Sequence, residues 1–181
     1  GQTLASCVFS GGVASVPGTF AFTTPAAQPS AGTATQSVTF TPTASGNYNT
    51  VTVNVNVTVA KATPTVTTAP TATGIVFGQT LASSTLGGGV ASVPGTFAFT
   101  TPSTAPGVGT ASQGVTFTPT DTANNNTVTL TANVTVGKAT PTITTAPNAS
   151  AIAFGQTLAS STLGGGAASV DGTFAFTTPA T

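Results

Sequence analysis

The string GQTLAS begins at Gly1, Gly78 and Gly155, and GTFAFTTP begins at Gly18, Gly95 and Gly172. Both recur 77 residues apart, and 53 of 77 positions match between the first two copies without a gap. A period of this length sets the size of the folding unit. It is too long for one coil of a β-solenoid and suits a small autonomous β-domain. The chain holds two full periods and part of a third, so it reads as a window cut from a longer array or as a mature fragment.

Boundaries fall at AKATPTVTTAP and GKATPTITTAP, where a strong strand ends and a proline follows. They divide the chain into an incomplete repeat 1–60 lacking its first strand, a complete repeat 61–137, and the N-terminal part of a further repeat, 138–181. Pro64 and Pro141 stiffen the short joints, which predicts a rod rather than loose beads.

Within each unit the apolar residues alternate. In TVTVNVNVTV, Val51, Val53, Val55, Val57 and Val59 take one face of a strand and Thr52, Asn54, Asn56 and Thr58 the other. The next copy sets Thr129, Thr131, Asn133 and Thr135 outward. The expected core of unit 61–137 is Phe97, Phe99, Val115, Phe117, Val128, Leu130, Val134 and Val136. TPTVTT reads as an edge strand because its proline lacks a ladder donor. GIVFGQTLASSTL reads as one bent strand or two. Pro94–Gly95 suits a type II turn with glycine at positive φ. No helical period exceeds one turn. The expectation is an all-β sandwich of about seven short strands per unit.

VPGTFAFTTP, VTFTPTDTANNNTVT and VTVGKATPTI resemble the bacterial immunoglobulin-like repeats, including those called MBG domains, of very large secreted and surface proteins. The likeness runs along the whole chain. It implies tandem Ig-like β-sandwich domains, an extracellular or cell-surface setting, and a stalk or adhesive role. Two features depart from the family. Phe77 and Phe154 stand where a tyrosine is common, and the NYN of Asn47–Tyr48–Asn49 becomes Asn124–Asn125–Asn126. A hydroxyl anchor through tyrosine is thus missing from the second copy.

Charge is nearly absent. Only Lys61, Lys138, Asp121 and Asp171 are charged, 2% of the chain against roughly 25% in ordinary soluble domains. Two lysines make no basic patch, which excludes a nucleic-acid partner. No apolar run reaches the roughly 20 residues of a spanning helix, so membrane insertion is not expected. With no His or Glu and two aspartates 50 positions apart, acid–base pairs and triads are missing; the expectation is no enzyme and no cofactor. Asp121 could join Asn124 and Asn126 around calcium, but one carboxylate is too few. An Asx turn within its own loop is the favoured role, and Asp171 is read as a turn residue.

Lys61 and Lys138 follow strands carrying Asn56 and Asn133. A Lys–Asn isopeptide bond lacks a repeated acid to assist it, so an interdomain hydrogen bond or a solvated linker charge is preferred. Cys7, whose counterparts are Ser84 and Ser161, is read as a buried free thiol, with an intermolecular disulfide as the alternative. The glycine runs near Gly11, Gly88 and Gly165 are flexible turns. Sequons begin at Asn56, Asn125, Asn133 and Asn148, and chance explains them in a chain with 43 threonines.

The uncharged outward faces carry the functional expectation. Thr and Asn favour strands or keep them wet, but supply none of the charge that discourages edge-to-edge association. The faces therefore pack against other copies, carry glycans, or bind an uncharged ligand. The first is preferred: a structural segment of a long extracellular bacterial filament, sheath or surface stalk, with copies of itself as partner. Thr52, Asn54, Asn56, Thr58, Thr129, Thr131, Asn133 and Thr135 form the candidate assembly face. An adhesin module recognising a glycan is the alternative. Strand donation, with residues 138–154 of one molecule completing residues 1–60 of the next, is a minor expectation because it leaves residues 155–181 without a place.

Overall fold

The computed structural model describes residues 1–180. Strand takes 41% of the residues and helix 5%, the latter in single 3-10 turns such as Leu4–Ser6 and Leu81–Ser83. The protein is all-β and sandwich-like.

In residues 1–60, β1 (Gly18–Phe22), β2 (Gly32–Pro42) and β3 (Val51–Val59) form an antiparallel sheet in that order. Residues 61–137 add a second layer. Here β4 (Val66–Thr68) pairs with β8 (Val90–Ala91), and β5 (Thr71–Ala72) with β7 (Leu86–Gly87). The larger sheet is ordered β6 (Ile75–Val76), β11 (Val128–Gly137), β10 (Gly109–Pro119) and β9 (Gly95–Phe99). β6 runs parallel to β11, and the other pairs are antiparallel. Among the described residues after 137, two ribbons form, β12 (Ile143–Thr145) with β15 (Ala167–Ala168) and β13 (Asn148–Ala149) with β14 (Leu163–Gly164), beside the 3-10 turn Leu158–Ser160.

Residues 61–137 contain the fullest core. Ile75, Leu81, Phe99, Val115, Ala132, Val134 and Val136 are buried together, and Ala72 and Leu86 of the ribbons pack against them. Phe117 is buried as well. Phe97, Val128 and Leu130, expected inside, are only half-buried. Register explains two of them. Phe117 sits opposite both Phe97 and Val128, so the central ring is covered from each side and its flanks are not. GIVFGQTLASSTL is two strands, β6 and β7, separated by the 3-10 turn.

One further expectation is corrected. Gly95 does not take positive φ; it opens β9. Its missing side chain answers a steric need instead, because a Cβ would lie 2.5 Å from the Phe117 ring and from the Thr118 carbonyl oxygen. The valine face of β3 is not fully buried either. Val51 and Val53 are exposed, and Val55, Val57 and Val59 half-buried. Their equivalents in β11 lie under the ribbons, and no ribbon covers β3. Residues 7–17, which correspond to β7 and β8, contain no strand.

Candidate functional site

Thr52, Asn54, Asn56 and Thr58 on β3 and Thr129, Thr131, Asn133 and Thr135 on β11 are all exposed. The strand period sets them on one side, and the sheets place four on each of two surfaces. The neighbouring strands complete the pattern. Thr33, Thr35, Ser37 and Thr39 of β2 lie opposite Thr58, Asn56, Asn54 and Thr52. Thr110, Ser112 and Thr116 of β10 lie opposite Thr135, Asn133 and Thr129. These partners alternate with Val38, Phe40, Val115 and Phe117, so the same period-two signal marks them in the sequence.

Some of these polar groups bond across the strands. Thr33 and Thr58 hydroxyls are 2.8 Å apart, as are those of Thr110 and Thr135. Thr35 donates to Asn56 Oδ1 at 3.0 Å. The Thr23–Thr39 and Thr100–Thr116 hydroxyls meet at 3.0 Å, carrying the pattern just beyond β1 and β9. Such pairs stabilise a sheet modestly, by roughly 0.2–1 kcal/mol each. They also fix side chains that would otherwise lose rotamer freedom on contact with a partner. The result is an uncharged surface on which part of the hydroxyls are held.

The charged residues lie elsewhere. Asp121 makes the expected Asx turn, accepting from the Asn124 backbone N–H at 3.1 Å and from the Asn124 amide at 2.8 Å. Those two bonds hold its pKa below the usual 3.8, with smaller help from the Ala123 N–H and the Lys61 charge. A lowered carboxylate pKa contributes stability that is present above the unfolded value and lost as pH falls through the folded one. Stability should therefore be flat from about pH 5 to 8 and decline only in acid, below about pH 4. Chemical denaturation across that range checks this, and a midpoint that moves between pH 5 and 8 contradicts it.

Lys61 is exposed. Its Nζ donates to the Thr122 carbonyl at 2.8 Å, within residues 61–137. A bond from residues 1–60 to the Asp121 loop is made by another pair, the Ala31 N–H and Asn124 Oδ1, at 2.8 Å. Tyr48 is half exposed, and among the described residues its hydroxyl has no hydrogen-bond partner. In the second copy Asn125 anchors the loop instead, through its amide and the Asp121 carbonyl at 3.1 Å.

Cys7 is exposed rather than buried. Its counterpart Ser84 is 8% exposed and donates to the Thr73 carbonyl at 2.6 Å. Beside the Cys7 thiol an open cleft of about 790 Å³ lies between Leu4, Cys7, Val57 and Val59 on one side and Asp121 and Asn124 on the other. No protein-family model matches the sequence, and no curated protein matches it.

Proposed function

We propose that this chain is a structural segment of a long extracellular bacterial filament, sheath or surface stalk, assembling with copies of itself through its Thr/Asn faces. In this reading residues 1–60, 61–137 and 138–181 are parts of three tandem Ig-like domains joined by short proline-restricted links. The carrying observation is the exposed, uncharged surface of hydroxyls and amides on both sheets, some of them bonded across strands. Such groups lose little on burial when partners are present, whereas unpaired charges would lose several kcal/mol each. The resemblance of VPGTFAFTTP and VTVGKATPTI to bacterial immunoglobulin-like repeats supports the extracellular setting.

A lysine at the centre of each face tests the proposal. Thr131→Lys with Asn54→Lys should leave stability within about 0.5 kcal/mol and abolish lateral association seen by electron microscopy and light scattering. A native contact should bury at least roughly 1,000 Å² in total. Bare rods that stay apart at high concentration, with or without the lysines, would overturn the proposal. A second reading, a glycan-binding adhesin module, draws on Tyr48, whose exposed ring stands beside Val16, Pro17, Thr43 and Ala44. Saccharide-induced NMR shifts confined to those residues would favour it.

A further inference from the structure

We propose that the outer edge of β9 pairs with itself: a second copy of this chain adds its own β9 there, antiparallel, about a two-fold through Phe97. The partner is the one named under the proposed function, but the surface differs and the inference does not rest on the Thr/Asn faces. β9 ends the larger sheet and pairs on one side only, with β10. The bonds just outside the strand show which way its backbone points. The Thr100 N–H donates to the Gly114 carbonyl and the Thr120 N–H to the Pro94 carbonyl, both at 2.9 Å. These pairs continue the register of Phe99 with Val115 and Gly95 with Pro119. Bonded pairs alternate along an antiparallel ladder, so Thr96 and Ala98 also bond toward β10. Gly95, Phe97 and Phe99 therefore turn their N–H and C=O groups outward. Among the described residues no hydrogen bond closes that edge.

Three features select a second copy as the occupant. Natural sheet edges are blunted by lysine, inward charge, proline or a bulge, and the GTFAF of β9 carries none of these. Pro94 does not block it, because its carbonyl already faces β10. The strand is also complementary to itself. The two-fold sets Gly95 opposite the partner's Phe99, Phe97 opposite the partner's Phe97, and Thr96 opposite the partner's Ala98. Each ring then meets a glycine or the edge of another ring, and the half-buried Phe97 gains cover on its open flank. Finally, the same five residues form β1, which ends the sheet of residues 1–60. It points the same way, with the Thr23 N–H on the Ser37 carbonyl and the Thr43 N–H on the Pro17 carbonyl, both at 2.9 Å. One edge of five residues buries less than the roughly 1,000 Å² of a stable contact. Its dissociation constant should be on the order of 1 mM, and repetition along a chain strengthens the hold. The edge sets register, and the hydroxyl face of one sheet continues into the next.

Backbone amides read the contact. The full chain with Thr131→Lys and Asn54→Lys removes face packing and leaves the edge untouched. In it, amide exchange at Gly95, Phe97 and Phe99 should slow about twofold as concentration approaches that constant. Exchange at Thr96 and Ala98, already bonded to β10, should not change. Charge tests the register at four exposed positions, Thr96 and Ala98 with their counterparts Thr19 and Ala21. Thr96→Lys with Ala98→Glu, repeated as Thr19→Lys with Ala21→Glu, sets opposite charges across the junction. Lysine at all four sets like charges there. By sedimentation equilibrium the Lys/Glu chain should associate more tightly than the all-lysine chain by about 10-fold. Both results stand whether or not the Thr/Asn faces pack, which separates this edge from lateral packing. Equal constants for the two charged chains would overturn the proposal. So would Gly95, Phe97 and Phe99 amides that exchange at one rate at every concentration.

Discussion

Phe117→Ala is expected to lower the stability of the sheet in residues 61–137 by about 3–5 kcal/mol, the cost of emptying a buried phenylalanine site. Phe117 is 1% exposed and its ring lies 4.9 Å from that of Phe97. It also covers Gly95 and sits opposite Val128, so three strands lose contact with one truncation. Collapse is restricted because β9, β10 and β11 hold one another in register along the whole row. The same change at Phe40 should cost less. That ring is similarly stacked, 4.9 Å from Phe20, but its row ends at the exposed Val51 and has no second layer above it. Denaturant unfolding should separate the two. Equal losses would mean that the ribbons add nothing to the core.

The second large effect is expected at the start of the same strand. Gly95→Ala places a methyl 2.5 Å from both the Phe117 ring and the Thr118 carbonyl oxygen. A ring can tilt, but a backbone oxygen within the ladder cannot move without breaking the β9–β10 pairing. The cost should reach the upper part of the roughly 1–3 kcal/mol typical of overpacking. Gly172→Ala serves as the control, since a Cβ there meets nothing within 4 Å. Combining Gly95→Ala with Phe117→Ala should be less than additive, because removing the ring relieves half of the clash. A Gly95→Ala protein as stable as the parent would show that β9 can slide away from β10.

These two sites mark where the sequence was informative and where it was not. The phenylalanine and valine alternation placed the strands and most of the inward residues, because period two is a local property of the chain. The reason for glycine at position 95 was not local. Pro–Gly looked like a turn, whereas the need arises from Phe117, 22 residues later and across a ladder. The exposure of Cys7 escaped for a related reason. A small apolar residue is ordinarily buried, but the cover of its counterpart Ser84 comes from Thr73, 11 residues away on another strand end, a contact the neighbours of Cys7 do not announce. The outer face was half legible. β3 and β11 gave its residues directly, and the hydroxyl pairs with β2 and β10 needed the register.

The parallel pairing of β6 with β11 has a mechanical consequence. Tension pulling the two ends of residues 61–137 apart draws β6 toward one end and β11 toward the other. Because the strands run the same way, their bonds are loaded together in shear rather than opened one by one from a free end. Ala62 adds a second fastening of the same kind. It is bridged in parallel to Asn125, with its N–H on the Asn124 carbonyl at 2.9 Å and its carbonyl taking the Asn126 N–H at 2.8 Å. Both fastenings tie the start of this stretch to its last third, so neither can lengthen alone under load. A chain fastened in this way is suited to carrying force along its length.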